Sequence, residues 1–279
     1  ASVGMLASVA ACGSGRSSSE KNGTIEVVAS VNQWGTVAKT LGGDNVNVTS
    51  IINSTNVDAH DYEPTTSDIA KLQKAQVIIV NGAGYDAWAV KAAQSANATI
   101  VNAAAVGGVN DGENPHVWFS ADVCKAVAQA ITEAYERADA AKKSDFDKLH
   151  DQWKSEENNV ESKIAEVKQK SDGLAYAATE SVASYLAEDM GLTDATPSGY
   201  ARATANESEP TPTDIKQFTD ALKAGEIKLL VVNTQEESTN AAKSANVPMV
   251  ELTEQMPEQY DSLTAWMESL VDAFSQVIA

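Results

Sequence analysis

The feature that most limits the possible folds is an unbroken helical pattern in the middle of the chain. Residues 143–170 contain neither Gly nor Pro, and their apolar side chains recur at steps of three, four and seven. These are Phe146, Leu149, Trp153, Val160, Ile164 and Val167. The spacing places them on one face of an α-helix about 40 Å long, long enough to run beside two lobes. We expect the charged residues of this helix, and His150 among them, to be solvated.

Short apolar strands alternate with helical patterns on both sides of this segment. The strands are predicted at Ile25–Val31, Val46–Ile52, Gln76–Val80, Thr99–Ala103, Leu174–Thr179, Ala195–Ser198, Lys228–Asn233 and Pro248–Leu252. The helices are predicted at Gln33–Leu41, Thr66–Lys74, Ala87–Ser95, Ala121–Ala138, Ser181–Met190, Thr213–Lys223, Ser238–Ala245 and Ser262–Ile278. Such alternation predicts βαβ units and parallel sheets. We therefore expect an α/β fold with an N-terminal lobe over residues 24–142, a linker helix over 143–171 and a C-terminal lobe over 172–279.

Four potential metal ligands follow predicted strands: His60, His116, Glu180 and Glu254. In an open α/β sheet the carboxyl ends of the strands face one crevice, so residues distant in sequence can converge there. Two imidazoles and two carboxylates suit a first-row divalent metal. The sequence thus predicts one ion held between two lobes.

The residues around these four positions carry a family resemblance. Segments 58–64 (DAHDYEP) and 114–118 (NPHVW) resemble the two histidine motifs of the metal-binding lipoproteins that serve ABC transporters for zinc and manganese. Segments 175–192 and 251–254 resemble the third and fourth ligand segments of that family, and the similarity runs from Ile25 to Ile278. Two departures are Ala59, where the family often has Pro, and Glu254, where Asp is commoner.

The resemblance implies a fold and a function. It implies two lobes, each with a parallel sheet flanked by helices, joined by one long helix. It also implies an extracytoplasmic solute-binding protein that captures Mn²⁺ or Zn²⁺ and delivers it to a membrane permease. Such a protein is not an enzyme, and we expect a monomer.

Each carboxylate assignment has a competing explanation. Glu180 stands where a strand gives way to a helix, and a negative charge at a helix N-terminus is favourable by itself. Glu251 and Glu258 lie close enough in sequence to replace Glu254. Asn233, at the end of a predicted strand, is expected to hydrogen-bond to a ligand.

The net charge of the chain bears on its partners, and its N-terminus predicts a lipid anchor outside the membrane. The formal charge of −19 argues against nucleic-acid binding. Residues 1–12 resemble the end of a truncated lipoprotein signal, with Cys12 as the lipid anchor, and the Gly/Ser-rich residues 13–23 have the composition of a flexible tether. The other cysteine, Cys124, is expected to be a small buried apolar residue without a disulfide.

Residues 82–87 (GAGYDA) match the loose dinucleotide-binding pattern, but they follow the third strand rather than the first. An acidic residue at the ribose-binding distance is also missing. We expect a tight loop instead, with Tyr85 and Trp88 packing at the lobe interface.

Two other functions are alternatives, and the identity of the metal stays open. A metallohydrolase would need an open coordination position for water and a general base. A surface adhesin would need no metal at all. The oxygen-rich ligand set favours Mn²⁺, whereas the Irving–Williams order gives Zn²⁺ the higher affinity.

Overall fold

Two four-stranded parallel sheets form the framework of the protein in a computed structural model, which describes residues 23–235 and 246–279. The first sheet contains β1 (Ile25–Val31), β2 (Val46–Ile52), β3 (Val77–Val80) and β4 (Thr99–Asn102), in the order β2-β1-β3-β4. The second contains β5 (Ala175–Ala178), β6 (Thr193–Asp194), β7 (Leu229–Asn233) and β8 (Met249–Leu252), in the order β6-β5-β7-β8. Both lobes therefore have the same strand order, and the predicted α/β class is confirmed.

Helices connect the strands and cover both sheets. They are α1 (Asn32–Gly42), α2 (Thr66–Lys74), α3 (Ala87–Gln94), α4 (Ala103–Val106), α5 (Ala121–Ala138), α6 (Lys143–Ser171), α7 (Ser184–Asp189), α8 (Ser198–Ala205), α9 (Pro212–Lys223) and α10 (Leu263–Ile278). Among the described helices, none is both long and apolar enough to cross a membrane. The predicted signal with Cys12, nearly all of the tether and the predicted helix Ser238–Ala245 lie outside the described residues.

One prediction of secondary structure is wrong. The strand expected at Ala195–Ser198 is the two-residue β6, and α8 begins where that strand was expected to end. The Asp194 carboxylate accepts the backbone N–H of Thr196 at 2.9 Å, which turns the chain immediately after the strand. Pro197 then precedes the first residue of α8.

The strands are buried because helices lie on both faces of each sheet. All five residues of β7 are buried. Leu229 and Val231 belong to a large cluster that extends into both lobes, whereas Leu230 and Val232 face a smaller cluster under α8 and α9. This alternation follows from the two-residue period of a strand. Cys124 is buried as expected, and its thiol donates to the carbonyl of Trp118 at 3.3 Å.

The long helix α6 has the predicted apolar face, but two polar residues belong to that face. His150 and Glu157 are 9% and 5% exposed. Glu157 fills the seven-residue gap that the apolar pattern left between Trp153 and Val160, because helical steps of four and three place it on the same face. The expectation that the charged residues and His150 are solvated is therefore wrong at these two positions. Burial, helped by the charge of Glu161, raises the pKa of Glu157 to about 7.

We expect Glu157→Gln to stabilise the protein above pH 7. A carboxyl whose folded-state pKa is raised contributes most stability below its unfolded-state pKa and loses that contribution as the pH rises through the folded-state value. The charged form should therefore cost about 1–3 kcal/mol at pH 8, and the neutral amide should remove that cost. Urea unfolding of the wild type and the variant at pH 5 and pH 8 measures it. The exposed Glu166→Gln on the same helix is the control, and equal changes in both variants would contradict the prediction.

Candidate metal centre

The same local turn presents both histidines. The Asp58 carboxylate accepts the backbone N–H of His60 at 2.8 Å. The Asn114 side-chain oxygen accepts the backbone N–H of His116 at 3.2 Å. Each histidine therefore stands two residues after an Asx residue that turns its own backbone, a geometry that Asp and Asn adopt readily.

The N-terminal sheet brings the two histidine loops together over Tyr85. His60 lies in the loop after the edge strand β2, His116 follows the opposite edge strand β4, and Tyr85 follows β3 between them. The Tyr85 ring lies 4.7 Å from the His60 ring and 6.1 Å from the His116 ring, measured between centroids. The Trp118 ring packs edge-on against Tyr85, with the two ring centroids 4.9 Å apart.

Trp88 supports the His60 loop rather than the lobe interface. Its indole N–H donates to the carbonyl of Ala59 at 3.2 Å, and its ring lies against Tyr62. The ring contacts of Tyr85 are likewise with residues of the N-terminal lobe. The expectation that both residues pack at the lobe interface is therefore corrected for Trp88, whereas Tyr85 lies against both histidines and is near enough to Glu254 of the C-terminal lobe to feel its charge.

The C-terminal lobe presents polar groups along one edge of its sheet. Glu180 comes shortly after β5, Asn233 ends β7, and Glu254 comes shortly after β8, and these three strands are adjacent. The Asn233 amide donates to Glu180 Oε2 at 3.2 Å. Next to Glu254, the Gln255 amide donates to the side-chain oxygens of Asn32 and Gln33 on α1, which fixes this segment against the N-terminal lobe.

Three of the four predicted ligands meet between the lobes. Glu254 Oε1 lies 2.6 Å from His116 Nε2 and 3.5 Å from His60 Nε2. One potential ligand atom from each of these residues lies within 4.8 Å of the others. Glu180 does not belong to this group among the described residues.

The charges of the three residues depend on one another. Burial opposes the charge of His60, but Glu254, with Glu207 and Asp58, raises the pKa of His60 above its ordinary value. Burial alone would raise the pKa of Glu254, yet the hydrogen bonds to His116 and His60 hold it at about 2. The site therefore keeps a partly buried carboxylate ionised, and such a carboxylate can bind a cation.

The structure also bears on the alternatives for each carboxylate. Glu254 is the acidic residue of its segment that contacts both histidines, whereas Glu251 lies within β8 and Glu258 is exposed. Glu180 precedes a short 3₁₀ helix, residues 181–183, but its side chain makes no capping hydrogen bond to that helix. The Asn233 amide donates to Glu180, so its predicted bond to a metal ligand depends on Glu180 being one.

One residue at the centre, Glu207, was not predicted from the sequence. Glu207 follows α8 and places Oε1 3.0 Å from His60 Nδ1. No local pattern marks it, since it is one of two glutamates in the polar stretch 206–209. Asn114, by contrast, had a signal in its spacing from His116, which matches the spacing of Asp58 from His60.

The loop at residues 82–87 turns on a carboxylate of its own. The buried Asp86 carboxylate accepts the backbone N–H groups of Asn81 and Gly82 at 2.7 and 2.9 Å. A negative charge of the protein itself therefore occupies two backbone donors at the start of this loop, in agreement with the expected tight loop. Asn81 also donates to the carbonyl of Pro115 at 2.8 Å, so the loop supports the turn that carries His116.

A polar cleft of about 460 Å³ opens beside Glu254. The described residues that line it are Thr55, Asn56, Asp58, Thr234, Gln235, Thr253 and Glu254. Its hydroxyl, amide and carboxylate groups can hydrogen-bond to the water shell of an approaching cation. The cleft therefore gives the centre access to solvent.

Comparisons with known proteins agree with this architecture. Residues 27–277 match the family model described as "Zinc-uptake complex component A periplasmic". The manganese ABC transporter substrate-binding lipoprotein PsaA of Streptococcus pneumoniae is 26% identical, over 88% of this chain and 85% of the relative.

Solved structures with the same fold include a laminin-binding adhesin from Streptococcus agalactiae and the periplasmic zinc-binding protein TroA of Treponema pallidum. The adhesin is 20% identical with a TM-score of 0.76, and the match covers 91% of this chain and 100% of that one. The zinc-binding protein is 15% identical with a TM-score of 0.75, and the match covers 92% and 100%. Since the family model spans nearly the whole described chain, the protein belongs to the family of the periplasmic component A of zinc-uptake complexes.

Proposed function

We propose that this protein is the substrate-binding component of an ABC transporter for a divalent transition metal. It captures one Mn²⁺ or Zn²⁺ ion between its lobes outside the membrane and delivers the ion to a permease. The family supports this role, and the relative from Streptococcus pneumoniae is named as a manganese transporter component. That relative is also named a lipoprotein, which supports anchoring through Cys12, and we propose that the protein acts as a monomer.

The observation that carries the proposal is the convergence of ligand atoms from both lobes. His60 and His116 come from the first lobe, Glu254 comes from the second, and their potential ligand atoms lie within 4.8 Å of one another. Imidazole nitrogen and carboxylate oxygen together suit Mn²⁺ and Zn²⁺. An ion bound there joins the two lobes.

We propose Glu180 as the fourth ligand. Its strand β5 is separated from β8, which precedes Glu254, only by β7, and neighbouring strands are about 4.8 Å apart. The amide of Asn233 contacts the Glu180 carboxylate from the intervening strand. A side chain that can rotate about three bonds reaches the ion from this position. Two hard carboxylates favour Mn²⁺, while the Irving–Williams order favours Zn²⁺ on affinity alone.

A shell of four protein ligands favours binding of the metal ion over catalysis by it. A hydrolytic metal centre needs an open position for water and a positioned general base. With both carboxylates bound to the ion, neither is left to act as that base. The centre therefore holds its cargo without transforming a second molecule.

Metal analysis tests the proposal directly. Protein purified without added metal should contain substoichiometric Mn or Zn, and calorimetry with either ion should then give one site per chain. Competition between Mn²⁺ and Zn²⁺ ranks the two ions. If neither ion binds more tightly than millimolar, the proposed function is wrong.

We expect Glu180→His to weaken Mn²⁺ binding more than Zn²⁺ binding. Imidazole supplies one borderline nitrogen in place of a hard and potentially bidentate carboxylate. The ratio of the two affinities should shift by about tenfold, or about 1.4 kcal/mol. Competition titration of the wild type and the variant measures this ratio. The exposed Glu188→His on α7 is the control, and an unchanged ratio in Glu180→His would remove Glu180 from the ligand set.

A further inference from the structure

The two histidines share a feature beyond their contact with Glu254: an oxygen acceptor holds the Nδ1 atom of each ring. His60 Nδ1 lies 3.0 Å from Glu207 Oε1, and His116 Nδ1 lies 2.6 Å from Asn114 Oδ1. A carboxylate and an amide oxygen only accept hydrogen bonds. Each Nδ1 therefore carries a hydrogen. Each Nε2 faces the Glu254 carboxylate, and it is the ring nitrogen that binds an ion when the ion replaces the hydrogen there.

Both acceptors connect the histidines of the N-terminal lobe with the C-terminal lobe. Glu207 belongs to the C-terminal lobe and reaches His60 directly. Asn114 belongs to the N-terminal lobe, but its amide donates to the carbonyl of Ser181 at 2.8 Å. The Tyr185 hydroxyl donates to the Asn114 carbonyl at 2.6 Å. Ser181 directly follows Glu180, so one asparagine side chain contacts a histidine and the segment of the proposed fourth ligand.

The backbone at Glu207 gives a second and independent observation. After α8 the Glu207 N–H donates to the Thr204 carbonyl at 3.0 Å, and the Ser208 N–H donates to the Ala203 carbonyl at 3.0 Å. This is the Schellman pattern, in which the position of Glu207 is usually occupied by Gly. Glu207 has a φ of +54°, which is unfavourable for a residue with a side chain. Gly would end this helix without the strain, so the Glu207 side chain serves its contact with His60 rather than the end of the helix.

On the basis of the proposed function, we propose that Glu207 and Asn114 are positioning residues through which the C-terminal lobe orients both histidines for the metal. Each holds Nδ1–H, so that Nε2 faces the ion. Because Glu207 and Ser181 lie in the second lobe, the Glu207–His60 and Asn114–Ser181 contacts form only when the lobes are together. Separation of the lobes would release the His60 ring from Glu207 and would remove the bond to Ser181 that holds the Asn114 side chain against His116, so the affinity for the ion falls as the protein opens to deliver it.

Substitutions separate this role from a purely structural one. Glu207→Gly removes the carboxylate and also removes the backbone strain. We expect about tenfold weaker Mn²⁺ binding, as is typical for the loss of a group that orients a ligand, together with an unchanged or higher melting temperature of the metal-free protein. If Glu207 only supported the fold, its substitution would lower both the Mn²⁺ affinity and the melting temperature. Glu209→Gln, in the same loop, is the matched control.

Two substitutions at Asn114 distinguish its bond to His116 from its bond to Ser181. Asn114→Ala loses both the bond to His116 and the bond to Ser181, whereas Asn114→Asp keeps an acceptor for His116 but cannot donate to Ser181. We expect about tenfold or greater loss of Mn²⁺ affinity in the first and a smaller loss in the second. Asn110→Ala, at an exposed asparagine of the same loop, should bind as the wild type does.

NMR of the Co²⁺-loaded protein reports on the orientation of each histidine ring through its imidazole N–H resonance. The wild type should show two strongly shifted, exchangeable imidazole N–H resonances, one from each bound ring. Asn114→Ala should lose the resonance of His116 through exchange with water, Asn114→Asp should keep it, and Glu207→Gly should lose that of His60. Both resonances should persist in Glu209→Gln and Asn110→Ala.

The two proposals can fail separately. If the wild type binds no ion, the proposed function has failed before any variant is compared. If the wild type binds one ion tightly and both Glu207→Gly and Asn114→Ala keep its affinity and both N–H resonances, the metal site stands and the positioning role is wrong.

Discussion

His116→Ala is expected to abolish tight binding of the metal ion while leaving the fold intact, and His60→Ala is expected to do the same. Each substitution removes a whole coordination bond from the ion. The loss should therefore exceed the 10–100-fold that is typical for residues outside the coordination shell. Both histidines lie in loops rather than in strands or helices, so the sheets and their buried clusters keep their contacts. Calorimetry with Mn²⁺ and Zn²⁺ measures the affinity, and far-UV circular dichroism checks the fold.

His150 supplies the matched control for this experiment. It is buried on α6 against Trp153 and lies outside the group of potential ligands. His150→Gln should bind metal as the wild type does, although it can lower the stability of the protein. Near wild-type affinity in either His60→Ala or His116→Ala would show that the ligand assignment is wrong.

Saturating metal is expected to stabilise the protein by about 4 kcal/mol when the free ion is 1,000 times its dissociation constant. The gain is large because an ion bound by residues from both lobes binds only the folded protein. Thermal or urea unfolding with Mn²⁺, with Zn²⁺ and with EDTA measures it. An unfolding curve that does not change between metal and EDTA would contradict the expectation.

The metal-induced gain should shrink from pH 7.5 to pH 5. The ion and the proton compete for His60, whose pKa is raised mainly by Glu254 against the effect of burial. Without metal the trend is opposite, because a raised histidine pKa contributes stability below the unfolded value of about 6.5 and loses it as the pH rises through the folded value. The pair of curves with and without metal should therefore converge towards acid. Equal metal-induced gains at both pH values would exclude imidazole ligation.

Local rules explain why much of the fold was predictable. The strands β1 and β2 and the helices α2 and α5 have the predicted bounds, because each is set by neighbouring residues. For α2, the Thr65 side chain accepts the backbone N–H of Asp68, and the Asp68 carboxylate accepts the backbone N–H of Thr65. This capping box can be recognised from four consecutive residues of the sequence. The errors occur where a local pattern is short, as at β6, or where a charged residue shares an apolar face, as Glu157 does.

Convergence at the site was predictable in outline for a related reason. Parallel strands place their carboxyl ends at one edge of a sheet, so residues after β5 and β8 were expected at the same edge once the strands were recognised. Glu254 was predicted from the family resemblance. Local rules did not decide among Glu251, Glu254 and Glu258, because the choice depends on how the segment after β8 turns. That turn is fixed by Gln255 bonding to Asn32 and Gln33 in the other lobe.

The sequence by itself determined the two α/β lobes, the long helix between them and the turns that present the histidines. All of these arise from periodicity or from side chains that bond to their own backbone within a few residues. Only the tertiary structure decided that Glu254 meets His116, 138 positions away, and that Glu207 crosses the cleft to His60. Such contacts depend on which surfaces of two separate lobes come together. The spacing of residues along the chain does not determine that arrangement.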